Sequence, residues 1–160
     1  MIFGIDLGHE TVQDAEHWLR DTAAGLGPDT VACTHFIAGR VALSLTAARD
    51  WPDPLDAQVA ARAAELHAAR AGGRAFRYPG HQDLTGTLSV ADLITASAID
   101  EVRVLGASSP EPDPSTLVDT RDFVRPQYVE GRLVLMTTPA PDGRIAPFEV
   151  PNPTPCCAFH

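Results

Sequence analysis

Cys156 and Cys157 stand side by side near the end of the 160-residue sequence, with His160 one helical turn beyond Cys157. Thiolate and imidazole are the ligands that zinc and other thiophilic ions prefer, so this trio points to metal or thiol chemistry. A second pair, Cys33 and His35, has the i, i+2 spacing that places two side chains on one face of a strand, about 6–7 Å apart and able to close on a common ion. Cys33, His35, Cys157 and His160 together would supply four ligands. Cys156 and Cys157 point oppositely in an extended chain, so only one of them is expected to hold the same ion. The plainer alternative makes Cys33 a small buried hydrophobe and His35 a satisfied imidazole.

Acid–base chemistry has its own candidates. His81 and Asp83 share the glycine-containing stretch Pro79-Gly80-His81-Gln82-Asp83, and His9-Glu10 follows an extended run. Loops after strands are where folds place proton-transfer groups, although capping and turn roles account for the same residues. Arg121 and Arg125 flank Asp122-Phe123 and could hold an anion, or pair with acids across a strand edge. Gly106-Ala107-Ser108 starts like a nucleophile elbow but runs into Ser109-Pro110, where that motif needs a second glycine and a helix. Ser108 is therefore read as a loop serine.

Phe3-Gly4-Ile5-Asp6-Leu7-Gly8 is similar to the first phosphate loop of the actin-like and sugar-kinase ATPases. That fold needs about twice this length and continues into a second strand, whereas a helical pattern follows here. Cys157-Ala158-Phe159-His160 has the outline of a prenylation box but ends in a residue outside the usual set.

The elements that must position these groups follow from periodicity. Apolar residues at Val12, Ala15, Trp18, Leu19 and Ala23 predict an amphipathic helix from Thr11 to about Gly25. Thr30–Ile37 and Val41–Ala47 alternate as strands around a tight turn at Ala38-Gly39-Arg40. Asp53-Pro54 predicts the start of a second helix with a buried stripe of Leu55, Val59, Ala63 and Leu66, ended by Gly72-Gly73. Further strands are expected at Arg74–Tyr78 and Glu101–Leu105, with a short helix between them capped by Ser89 and Asp92. Phe123–Val129, Arg132–Thr138 and Ile145–Val150, joined by Glu130-Gly131 and Pro141-Asp142-Gly143, predict a three-stranded antiparallel meander.

The result is an α+β fold with a mixed or largely antiparallel sheet, two longer helices and one short one, helices on one face. Residues 1–150 are expected to form one domain. Residues 151–160, stiffened by three prolines, are expected to dock as a Cys/His tail.

Composition narrows the function. All twelve basic residues counted as Lys plus Arg are arginines, so Schiff-base and P-loop chemistry, which rest on lysine, are excluded. A net charge of −9 argues against nucleic acid and anionic membranes as partners. No long apolar segment follows Met1, which predicts a cytoplasmic protein. The leading expectation is a small metal- or thiol-dependent protein carrying zinc or another thiophilic ion on its tail. One alternative is an accessory module that meets a protein partner, or its own copy, through the tail or a sheet edge. The other is a small hydrolase or isomerase using His81 and Asp83.

Overall fold

The structure is a computed structural model that describes residues 1–22, 24–47 and 50–151. It opens with β1 (Ile2–His9) and α1 (Val12–Thr22), where the Thr11 hydroxyl accepts the Asp14 amide at 3.1 Å and so caps the first turn. A hairpin follows, β2 (Ala32–Ile37) and β3 (Arg40–Thr46), closed by Ala38 and Gly39, both at positive φ as a two-residue turn requires. Next come α2 (Ala57–Ala69), β4 (Arg74–Arg77), a 3₁₀ turn at His81–Asp83, β5 (Thr87–Ser89) and α3 (Val90–Ala96). The chain closes with β6 (Glu101–Val104), β7 (Leu117–Asp119), β8 (Gln127–Val129), β9 (Arg132–Pro139) and β10 (Ile145–Pro147).

The ten strands form one mixed sheet in the order β1-β3-β2-β4-β8-β9-β10-β7-β5, with β6 paired to β9. Only β6 with β9 and β7 with β10 run parallel; every other described pairing is antiparallel. The α+β architecture and the closing meander β8-β9-β10 are those expected from the sequence. No helix among the described residues is long and apolar enough to cross a membrane.

The helices do not share a face. Strand alternation sends Ala32, Val41, Leu43 and Leu45 to one side, where they bury Ala15 and Leu19 of α1. On the other side Ala42 packs on Val59 and Ala63 of α2. The second approach is close: a Cβ on Gly4 of β1 would lie 1.7 Å from the Ala60 carbonyl oxygen, so only glycine lets α2 lie there. The expected one-sided covering was wrong because both faces of β2 and β3 are apolar enough to need burial. A larger cluster, including Tyr78, Leu84, Leu93, Ile99 and Leu135, forms the core of the second half.

Two boundaries and one buried position also differ from expectation. Asp56, not Asp53, caps α2, its carboxylate accepting the Gln58 and Val59 amides. Leu55 is consequently outside the helix and 71% exposed, and His67 takes the buried position expected of Leu66. Phe123–Pro126 is a turn and connection rather than a strand, because Arg121 and Asp122 both adopt positive φ.

Candidate functional site: an arginine-lined cavity beside α1

A cavity of about 610 Å³ opens between α1, β4, the connection 121–126 and residues 149–151. Its floor is apolar, with Leu19, Phe76 and Phe123, and its walls are charged. Among the described residues, Arg20, Arg74, Arg77 and Arg125 line it, against the acids Glu16, Asp21 and Glu149. A chain of net charge −9 thus gathers an excess of cations in one concave place. Low-dielectric walls focus such a field and favour anions there.

An alternating ion network fixes the geometry. Glu16 on α1 accepts a hydrogen bond from Arg125 Nε at 2.8 Å, and Arg74 Nη1 on β4 lies 3.6 Å from the same carboxylate oxygen. The second distance is an ion pair rather than a hydrogen bond, which agrees with Nη1 being buried without a hydrogen-bond acceptor. On its other edge Arg74 donates Nε to both Glu149 oxygens at 2.6 and 2.7 Å, and Nη2 to Glu149 Oε1. Arg125 lies over the Phe123 ring at 4.1 Å, which orients its guanidinium. Its two terminal amino groups have no partner among the described residues. Arg77 is held at the rim by donating Nη2 to the Leu26 carbonyl at 3.0 Å.

The backbone beneath Arg125 is strained. Arg121 and Asp122 hold φ of 54° and 53°, a region that costs an L-residue about 1–2 kcal/mol. The turn is maintained by Asp122, whose carboxylate accepts the Gly86 amide at 2.8 Å, and by the Thr120 carbonyl, which accepts the Phe123 amide at 3.1 Å. It places Phe123 and Arg125 on the cavity wall.

His81 stands where this cavity meets a second hollow of about 400 Å³; His81 and Arg77 line both. The imidazole is positioned by its neighbours. Nδ1 lies 2.8 Å from the Tyr78 carbonyl oxygen, which can only accept, so Nδ1 carries the proton and Nε2 presents a lone pair. No described residue hydrogen-bonds Nε2. Tyr78 is itself fixed, buried with its hydroxyl donating to the Val124 carbonyl at 2.9 Å, and burial pushes that hydroxyl's pKa up. Gly80 allows the turn: a Cβ there would lie 2.0 Å from the Ala96 carbonyl oxygen, at a φ of 82°. Asp83 is exposed and lines the smaller hollow only.

The groups expected to bind metal fall in two places. Cys33 and His35 share the face of β2 that α2 covers, both buried. There the Ser44 hydroxyl joins His35 Nε2 at 2.7 Å to His67 Nδ1 at 2.8 Å. One hydroxyl can donate once and accept twice, so it serves both imidazoles. Burial pushes the Cys33 thiol up to about 12. It lowers His35 to about 4, with the positive field of His67 adding to the shift. His67 is also lowered, by burial and then by Arg70. The three side chains are buried together, and His35 Nδ1 has no hydrogen-bond partner among the described residues. Among the described residues no three His, Cys, Asp or Glu side chains are grouped to hold a metal ion. Cys156, Cys157 and His160, and with them the expected docking of the tail beyond Pro151, lie outside the described residues.

Of the remaining candidates, His9 packs beside Trp18 at a ring separation of 6.0 Å, Glu10 is exposed, and Arg121 is exposed while Arg125 reaches the cavity. Ser108 is in an exposed loop. Glu16, Arg74 and Glu149 escaped sequence reasoning because each looks like an ordinary surface charge within its own element. His67 was findable, since Val59, Ala63 and His67 repeat at four-residue spacing.

No family model matches the chain, and neither a curated protein nor a solved structure does.

Proposed function

We propose that the protein is a small acid–base enzyme, a hydrolase or isomerase, acting on an anionic small molecule bound in the arginine-lined cavity. The observation that carries this reading is His81: its tautomer is set by the Tyr78 carbonyl, and it stands at the wall of a cavity bearing Arg74, Arg77 and Arg125. Nε2 is the base. In a hydrolysis it takes a proton from water as the hydroxide adds, then returns that proton to the leaving group. In an isomerisation it takes a proton from carbon and returns it to a neighbouring atom. Either way the negative charge that develops on the substrate faces the guanidinium groups of Arg125 and Arg77, fixed before the reaction begins. Asp83, on the smaller hollow, adds a carboxylate on the far side of His81.

Titration of the intact protein with a panel of carboxylates and phosphate esters, followed through the His81 imidazole resonances, tests the site. Ligands that turn over should lose about 10²–10⁴-fold in kcat in His81→Ala. Unchanged turnover in that variant, or binding that leaves His81 unperturbed, overturns the reading.

A further inference from the structure

Glu149 is joined to the cavity in a manner that differs from the other two acids on its wall. Glu16 and Asp21 belong to α1, whose fold holds them in place. Glu149 lies past the end of β10, and the last backbone hydrogen bond before it is from the Phe148 amide to the Met136 carbonyl at 2.9 Å. Its neighbours are only partly covered, Phe148 being 63% and Val150 50% exposed. Among the described residues the polar contact that holds Glu149 to the wall is the fork between its carboxylate and Arg74 Nε and Nη2. Arg74, by contrast, projects from a strand in the middle of the sheet and is 14% exposed. A guanidinium fixed on the sheet meets a carboxylate that lies beyond the end of a strand.

We infer that Arg74 is the seat for the carboxylate of the ligand, and that Glu149 is the chain's own stand-in, occupying the seat until a ligand carboxylate displaces it. The inference rests on the cavity being a ligand site as proposed above and adds the class of ligand. A free carboxylate makes the same two-pronged pairing that the Glu149 side chain makes, so exchange leaves Arg74 with equivalent bonds. The floor beyond the seat, Leu19, Phe76 and Phe123, suits an apolar or aromatic body, which makes an arylalkyl carboxylate the fitting class. Glu16 stays in place during the exchange and keeps Arg74 and Arg125 oriented. When Glu149 leaves, residues 149–151 move off the wall they line and the cavity widens. Because the stand-in is tethered, it lowers the apparent affinity by the fraction of molecules whose seat is free.

The test uses phenylacetate on the full chain, with inorganic phosphate as the comparison anion. Glu149→Gln removes the competing charge and keeps the side-chain shape, so phenylacetate should bind about tenfold tighter than to the wild type, the factor expected when about one seat in ten is free. In the wild type, saturating phenylacetate should shift the amide resonances of Phe148 and Val150. Equal or weaker binding by a folded Glu149→Gln overturns the inference, as do unmoved Phe148 and Val150 amides in the bound wild type, which decides the matter even if the variant fails to fold. Preferential binding of phosphate would also overturn the carboxylate assignment. His81→Ala separates the two readings: if it is catalytically silent while the Glu149 results hold, the acid–base proposal falls and the carboxylate seat stands.

Discussion

Glu16 and Arg125 meet at 2.8 Å although 109 residues separate them in the chain. Their contact ties α1 to the strained connection before β8, and through Arg74 it reaches the middle of the sheet. Glu16→Gln leaves two guanidinium groups facing a neutral amide. It should lower stability by about 1.5–3 kcal/mol in urea unfolding, the range for hydrogen bonds to charged groups. Arg62 and Glu65, an exposed pair on α2, provide the control: Glu65→Gln should cost under about 0.5 kcal/mol. Equal effects of the two substitutions would show that the Glu16 network is solvated and does not organise the cavity.

Acid should weaken the fold before the carboxylates titrate. His35 is lowered to about 4 and His67 is lowered as well, so the folded state binds fewer protons than the unfolded chain below the ordinary histidine pKa of about 6.5. Their contribution is fully present above about 6.5 and is lost as the pH falls toward about 4, with a slope of up to about 1.4 kcal/mol per pH unit for each histidine. Unfolding measured between pH 7.5 and 5 should show this decline, and His35→Gln should flatten it. A wild-type stability that stays level across that window would mean the two imidazoles accept protons in place.

Position 80 separates steric from conformational cost. Gly39 and Gly80 both have positive φ, but a Cβ at Gly39 meets nothing within 4 Å, whereas at Gly80 it meets the Ala96 carbonyl. Gly39→Ala should cost about 1–2 kcal/mol. Gly80→Ala should cost more and displace the His81 ring from the Tyr78 carbonyl, visible as a change in the His81 resonances. Equal costs would show that the turn yields without moving the base.

The Cys33 thiol, buried and pushed up to about 12, should resist thiol reagents in the folded protein. The double variant Cys156→Ser, Cys157→Ser leaves Cys33 as the one thiol in the chain, and it should react with a disulfide reagent only after denaturant is added. Rapid reaction without denaturant would mean that α2 opens over β2 under native conditions. Elemental analysis of the unmodified protein and of this variant tests the expected zinc or thiophilic ion on the tail: metal present in the first and lost in the second supports it.

The sequence by itself determined many of the local elements, though not β5 or β7. Heptad-like spacing in α1, alternation in β2 and β3, the Ser89 cap and the glycine turns of the closing meander each depend on residues a few positions apart, and each formed as expected. It also marked His81 and Asp83 as candidates and Arg125 as a potential anion holder. What only the tertiary structure decided is which distant charges share a space. Glu16, Arg74, Arg125 and Glu149 come from four separate segments, and each alone has the pattern of a solvated side chain. They converge because α1, packed on β1–β3, lines the same cavity as β4, and the positive-φ turn at Arg121-Asp122 brings Arg125 to it. The burial of Cys33 and His35 was decided in the same way, since what a strand face meets depends on what the rest of the chain lays over it.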